Sequence, residues 1–465
     1  MNRIILLLSL LYSGVCGLYA QTPSVFTDFL NKKNLSHAAV SFKAIELGSE
    51  RPVVSYNENM SLTPASNMKL ITTATALELL GSRFCFETPL LYDGSIQDTI
   101  LNGSLYIKGS GDPTLGSEFV QNNKENFLKE WLDAVNRAGI RKITGDIIVL
   151  DQLFGYDGVS KKWLWEDIGT SYAPGIFGIS IFDNMYRAYL RSSVPDSIKV
   201  LYTDPPVLNL KFTNEIKISN ESTDDVSVFG LPFSDEMRLY GTIPASQTSA
   251  VVKGSIPDPG LFLANYFRDF LQRNGVVVEG DVTTYRLRPS VPTVAISLSS
   301  IRSVDLASMV KITNVRSNNL YAEHLYKVLT VLDSVDIPVY WKTKGLDSDA
   351  LFMLDGSGIS PQNAVSAGFL IDLLVYMDKK SVNSDAFYQS LPVAGRNGTV
   401  ASFLRDTALE GKARLKSGSL SNVQSFSGYI ENKGKRYAVS LIINNFNGKK
   451  NELLRDIELL FNGLF

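Results

Sequence analysis

Two serines and two lysines in this chain stand at spacings that can support nucleophilic chemistry. Ser66 and Lys69, in Ser66-Asn-Met-Lys69, are three residues apart. On a helix that spacing puts both side chains on one face. A neutral lysine there can take the serine proton and leave a nucleophilic oxygen. Alone the pattern has little weight. Ser308-Met-Val-Lys311 matches it too, and a serine opening a helix is often a plain N-cap. Ser317-Asn-Asn319 is a second candidate, but Ser-x-Asn recurs at Ser55-Tyr-Asn57 and Ser381-Val-Asn383. Ser317 equally suits a cap for the helix expected after it. Lys416-Ser417-Gly418 is the only Lys-Ser/Thr-Gly in the chain. It falls on an expected strand, where an ordinary strand end explains it as well.

Composition narrows the chemistry. The 465 residues include only two histidines, His37 and His324, and two cysteines, Cys16 and Cys85. A zinc site of four His and Cys ligands is therefore not expected, nor is any other metal or cofactor site. A hydrolase built from this chain needs a base other than histidine. His37 opens a strand and His324 reads as a packing or helix-surface residue. The net charge of −2, from 45 basic and 47 acidic residues, leaves no electrostatic footprint for nucleic acid or an anionic membrane. Arg3, the apolar run 4–11 and Leu18-Tyr19-Ala20 before Gln21 read as an export signal over 1–20. The run is shorter than the ~20 residues of a membrane span. Lipidation at Cys16 is the alternative, disfavoured by Val15 before it. Removal of the signal leaves Cys85 alone, so an exported, periplasmic chain of this kind relies on its core and not on disulfides.

The elements that must position these residues follow from periodicity. Helices are expected over 25–31, 69–80, 261–274, 306–312, 317–331, 366–379, 400–406 and 451–461. Strands are expected over 37–46 and 52–56, and in a final pair, 426–431 and 436–444, turning at Asn432-Lys433-Gly434. Between about 90 and 290 short apolar runs (101–107, 143–150, 179–190) alternate with turn residues. That middle third reads as mixed β with few helices. At ~150 residues per domain the length predicts roughly three domains. One α/β domain interrupted by an insertion explains the pattern better than three consecutive units.

The three weak motifs are stronger together. Their order, Ser-x-x-Lys, Ser-x-Asn, Lys-Ser-Gly, and their placement on helix start, loop and strand form the signature of penicillin-binding proteins and serine β-lactamases. More specifically, the chain resembles the D-Ala-D-Ala carboxypeptidase/endopeptidase family, the class C low-molecular-mass penicillin-binding proteins. The resemblance rests on 64–74 around Ser66, Gly109-Ser-Gly-Asp-Pro-Thr-Leu115, Asp355-Gly-Ser-Gly-Ile-Ser360 and Leu391-Pro-Val-Ala-Gly-Arg-Asn-Gly-Thr399. It implies an α/β (α+β) multidomain fold, a transpeptidase-like catalytic domain with two β-rich domains inserted. The expected divisions are 21–92 with 296–465 for the catalytic domain, 93–190 with 246–295 for domain II, and 191–245 for a nested domain III.

The resemblance also implies roles. Ser66 attacks a D-Ala-D-Ala carbonyl in a peptidoglycan stem peptide and forms an acyl-enzyme, with Lys69 as base. Lowering a lysine from about 10.4 toward 7 requires roughly 4–5 kcal/mol, expected from burial and from Lys416 as a second cation. Ser317 relays a proton, and Asn319 orients Lys69 and binds the substrate amide. Ser417 and Lys416 suit the terminal carboxylate. Gly418 permits close approach, and the backbone N–H groups of Ser66 and Ser419 form an oxyanion hole. Asp167, Tyr172 and Ser421 resemble a pocket for a diamino-acid side chain, although a plain loop acid explains Asp167 equally well. Pro361 stands where the family often has arginine, a departure that leaves the family's recognition of a second carboxylate, and so the identity of the diamino acid, open. β-Lactams are expected as covalent inhibitors. A β-lactamase or esterase of the same fold, and a non-catalytic wall-binding module, remain the alternatives.

Overall fold

The structure is a computed structural model. It describes residues 23–121, 124–192, 198–289, 291–292 and 294–465. The expected export signal and Cys16 lie outside the described residues.

One layer is a five-stranded antiparallel sheet in the order Ala413–Leu420, Val423–Asn432, Lys435–Asn444, Ala39–Glu46, Pro52–Tyr56. Its central strands are covered on both faces, so alternate residues enter two different cores. Along Lys435–Asn444, Val439, Leu441 and Ile443 pack with the terminal helices Ser24–Leu30 and Lys450–Leu464. Ala438 and Ile442 join the core around the helix Met68–Leu80.

Met68–Leu80 is the central helix of that core. Every residue from Met68 to Leu77 is buried, so it carries no single apolar stripe such as the periodicity implied. Its polar side chains are satisfied internally. Thr73 and Thr75 donate to the carbonyls of Lys69 and Ile71, four residues back, and Thr72 donates to Gly356 O at 2.6 Å.

The chain between this helix and Leu306 builds separate sheets. A mixed five-stranded sheet has the order Val282–Thr284, Ile147–Leu150, Leu105–Lys108, Glu87–Tyr92, Ile296–Arg302. Glu87–Tyr92 and Ile296–Arg302 pair with each other and lie on the catalytic side of the divisions expected at 92 and 296. Beside it is a four-stranded sheet, Val277–Val278, Lys142–Ile143, Ile100–Asn102, Ser95–Gln97. The apolar runs read as 101–107 and 143–150 each supply one strand to both sheets. They cross over at Gly103 and Gly145, where Gly145 N donates to Gly103 O at 2.9 Å. A Cβ on Gly145 would come within 2.5 Å of that oxygen. Two three-stranded sheets follow, the first of Ile198–Asp204, Met185–Ser192 and Ser249–Ser255. The second is Lys211–Ser219, Glu236–Pro244 and Asp225–Gly230.

Three helix expectations need correction. The middle third contains a second helix, Asn126–Arg137, whose buried Phe127, Leu128, Trp131, Ala134 and Val135 form an amphipathic stripe. The span 400–406 is not a helix. It has one 3-10 turn, Gly398–Val400, after which Leu404 and Asp406 take positive φ. The helix expected over 317–331 starts at Asn319, runs to Lys327 and continues as a π-helical turn, Val328–Leu332.

Candidate active site

Ser66 lies in a 3-10 turn, Ala65–Asn67, that leads into Met68–Leu80. No side chain caps this helix, so the plain N-cap reading of Ser66 fails. Ala65 is held at φ +47, a region costly for a residue with a Cβ. The neighbouring backbone at Gly358 fits only because that residue lacks a side chain. A Cβ there would fall 1.9 Å from Ala65 O.

Lys69 is fully buried and meets three oxygens. Its Nζ is 2.9 Å from Ser66 Oγ, 2.6 Å from Asn319 Oδ1 and 2.6 Å from Ser357 O. The last two oxygens can only accept, so they fix two N–H groups. The third position faces Ser66, whose hydroxyl can accept or donate. A neutral Lys69 thus presents its lone pair to the Ser66 proton, and a protonated one presents a donor to the same oxygen. Burial pulls the Lys69 ammonium down to about 7, although Asp355 and Glu323 push it upward. Burial acts as expected, whereas Lys416 is not among the causes that set Lys69. The second cation shows on Lys416, which is held well below the ordinary lysine range by burial and by Lys69.

Lys416 lies on the edge strand Ala413–Leu420 and donates to Ser317 Oγ at 3.0 Å and to Ser417 O at 2.6 Å. Ser317 sits between two helices with φ +54 and ψ +38. It is not the cap of the second helix. Asn318 is, through its Oδ1 and Tyr321 N, which leaves the Ser317 hydroxyl to Lys416. Gly418 packs against the nucleophile turn. A Cβ on it would meet Pro64 O at 2.4 Å and Ser66 N at 2.9 Å. Ser417 Oγ donates to Thr399 Oγ1 at 2.7 Å. By contrast, Ser308 and Lys311 of the matching decoy are exposed.

The 163–172 segment of the insertion reaches this site. Trp163 Nε1 donates to Asp355 Oδ2 at 3.0 Å, and Asn319 Nδ2 donates to Tyr172 O at 2.6 Å. Asp167 is buried, so the loop-acid reading fails in its exposed form. It accepts from Leu164 N and from Tyr172 Oη, the latter at 2.8 Å. Ser421 stands in the exposed turn after Leu420, with no hydrogen bond to Asp167 or Tyr172 among the described residues. His324 is a packing residue and not a surface one. It is fully buried, 2.9 Å from Ser180 Oγ and 2.8 Å from Gly111 O, and burial lowers it to about 4.

Ser66, Ser317, Ser417 and Ser419 line one cleft of about 630 Å³. A cavity of about 670 Å³ in the insertion, lined by Val207, Phe262 and Arg286 among others, brings together no serine and lysine.

The model of the D-Ala-D-Ala carboxypeptidase 3 (S13) family matches residues 25–459. The chain belongs to this family. It is thus a serine peptidase of the D-Ala-D-Ala carboxypeptidase class. It is 26% identical to a D-alanyl-D-alanine carboxypeptidase of Actinomadura over 89% of this chain and 79% of that one. It is 23% identical to the corresponding enzyme of Haemophilus influenzae, over 90% and 88%. Among solved structures, penicillin binding protein 4 of Haemophilus influenzae superposes with a TM-score of 0.81 at 22% identity, covering 95% of this chain and 99% of that one. That likeness is one of fold, and it agrees with the expected α/β multidomain class.

Sequence reasoning overlooked several groups in this family's site. Glu323 accepts from Ser357 N at 2.8 Å, so it fixes the carbonyl that holds Lys69. Burial and Asp355 raise Glu323 to about 8. Asp355 accepts from Gly358 N, Ser360 N and Asn363 Nδ2 as well as Trp163. Only the Asp355-Gly-Ser-Gly segment carried a signal. Among the described residues no helix is long and apolar enough to cross a membrane.

Proposed function

We propose that this serine peptidase acts on peptidoglycan outside the cytoplasm, hydrolysing the D-Ala-D-Ala bond of stem peptides as a carboxypeptidase, the D-Ala-diamino-acid bond of crosslinks as an endopeptidase, or both. The observation that carries the reading is the three-oxygen setting of Lys69, with one position left for the Ser66 proton. Ser66 Oγ attacks the carbonyl carbon as Lys69 takes its proton. The C–N bond then breaks, and Lys416 with Ser317 hands a proton to the leaving amine. The backbone N–H of Ser66 and of Ser419 would hold the oxyanion, worth about 10²–10³ in rate for one donor. Water releases the acyl group by the reverse proton path. Asp167, Tyr172 and Ser421 are proposed to receive the diamino-acid side chain. A β-lactam would acylate Ser66 and persist. For the domains we propose a catalytic unit that ends before Glu87 and resumes after Arg302, because those strands pair into the inserted sheet.

Ser66→Ala tests the assignment against Ser308→Ala. Loss of both penicillin labelling and D-alanine release in the first alone is expected. Labelling and release that survive in Ser66→Ala would falsify it. The lifetime of the penicilloyl adduct separates the rival, since release within seconds marks a β-lactamase.

A further inference from the structure

The catalytic reading leaves unused a set of buried polar contacts behind Asn319. The helix Asn319–Lys327 presents polar groups on two sides. Asn319 and Glu323, four residues apart, share one side. There Asn319 accepts from Lys69 Nζ at 2.6 Å and Glu323 from Ser357 N at 2.8 Å. Tyr321 and His324, three apart, share the other side, and both are fully buried. Tyr321 Oη donates to Ser117 Oγ at 2.7 Å, and Ser117 Oγ donates to Asp183 Oδ1 at 2.6 Å. A carbonyl only accepts, so His324 Nδ1 donates to Gly111 O at 2.8 Å, and its Nε2 accepts from Ser180 Oγ at 2.9 Å. Every partner on this second side belongs to the insertion.

The receiving side is held firmly. Phe182, Asp183 and Asn184 take φ of +51, +57 and +51. Three successive non-glycine residues in that region persist only where their surroundings impose it. Asn184 contributes, since its Nδ2 donates to Gly175 O and Ser180 Oγ and its Oδ1 accepts from Ile181 N. Asp183 also accepts from Glu118 N at 2.9 Å. A carboxylate only accepts, which fixes the direction of the chain of bonds from Tyr321. Apolar packing is non-directional and would let the helix slide, whereas these bonds set its position along and around its axis.

We infer that Tyr321 and His324 are positioning residues: through Ser117, Ser180 and Gly111 of the insertion they hold the helix Asn319–Lys327 where Asn319 meets Lys69. The inference rests on the DD-peptidase reading, in which Lys69 is the base, and adds the groups that set it. It also gives the 109–115 segment a task, since Gly111 is one of the anchors.

Tyr321→Phe tests this, because it removes one hydroxyl and keeps the ring. With the grip loosened, Asn319 and Glu323 draw back from Lys69. Asn319 accepts from the Lys69 ammonium and Glu323 favours it, so losing either contact lowers the pH at which Lys69 titrates. Asp355, the other charge that raises Lys69, and Lys416 lie off this helix and stay in place. The Lys69 titration is followed by NMR of lysine labelled at Cε, assigned with Lys69→Met. Acylation is followed at saturating labelled penicillin. The midpoint is expected to fall by about 0.5–1 pH unit and acylation to slow about threefold to tenfold, the effect of one hydrogen bond. Ser117→Ala breaks the same bond from the insertion side and reproduces both changes, and the double variant is no slower than the slower single one. Tyr429→Phe is the control. Tyr429 is also buried, its hydroxyl donates to Leu374 O at 2.8 Å, and its variant keeps both wild-type values. A wild-type value of either quantity in Tyr321→Phe overturns the inference, as do equal changes in Tyr429→Phe or losses that multiply in the double variant. Failure of the DD-peptidase reading looks different. The unsubstituted protein would then release no D-alanine, while the Lys69 midpoint still moves in Tyr321→Phe.

Discussion

Lys69 shows how one residue type changes its chemistry by position. An exposed lysine is protonated at neutral pH, and desolvation is what makes this one available as a base. The base is the neutral form, so the sign follows directly. Below about pH 7 the neutral fraction falls tenfold per unit, and acylation slows with it. Above that the rate levels off. Second-order rates of penicillin acylation measured across pH would show this rise and plateau, and a flat profile would contradict it. Lys69→Arg keeps the charge but cannot lose it, so acylation is expected to fall about 10²–10⁴-fold. The pairing of Ser66 with Lys69 was legible from motif spacing, and that of Ser317 with Lys416 only from the family that the motif order resembles. The buried support of Glu323 and Asp355 was not, because an isolated acid in a sequence carries no sign of what it will accept.

At the scale of elements, the site is an agreement between a turn, a strand and a loop. Gly418 lets the strand Ala413–Leu420 approach the nucleophile turn. Gly418→Ala introduces a methyl against Pro64 O and Ser66 N, a clash of the order of 1–3 kcal/mol. The acylation rate is expected to drop about ten- to hundredfold, measured with a labelled penicillin, while secondary structure by circular dichroism is unchanged. The Asp355 carboxylate ties the 355–360 loop to Trp163 and to its own backbone. Asp355→Asn turns one acceptor oxygen into a donor facing N–H groups and is expected to destabilise the fold by about 1.5–3 kcal/mol. A thermal melt equal to wild type would refute that role. Strands and helices of clear period were readable. The helix Asn126–Arg137 had a readable stripe too, at Phe127, Leu128, Trp131, Ala134 and Val135, but lay inside a β-like context. The 400–406 span failed for a different reason: Leu404 and Asp406 take left-handed backbone that helical spacing does not reveal.

Across the whole molecule, the insertion is part of the site and not an appendage. Trp163 and Tyr172 are 192 and 147 residues from their partners Asp355 and Asn319, yet bond to them. Trp163→Phe removes the bond to Asp355 and is expected to lower catalysis more than stability, seen as a fall in kcat/KM of about threefold to tenfold. Stability itself rests on apolar cores, and Cys85 is a free thiol. The thermal midpoint is therefore expected to be the same with and without reductant, and a lower one in reductant would reveal a disulfide.

By itself the sequence supplied the order of the motifs and, through the family they resemble, the proposal of Ser66 as nucleophile and Lys69 as base, with a change of texture in the middle third that suggested an insertion. Those features are local, written in spacing, periodicity and turn residues. Only the tertiary structure decided that burial depresses Lys69, that Asn318 and not Ser317 caps the helix, and that Tyr321 meets Ser117. Each depends on groups brought together from distant positions, and desolvation and hydrogen-bond partners exist only once the chain has packed.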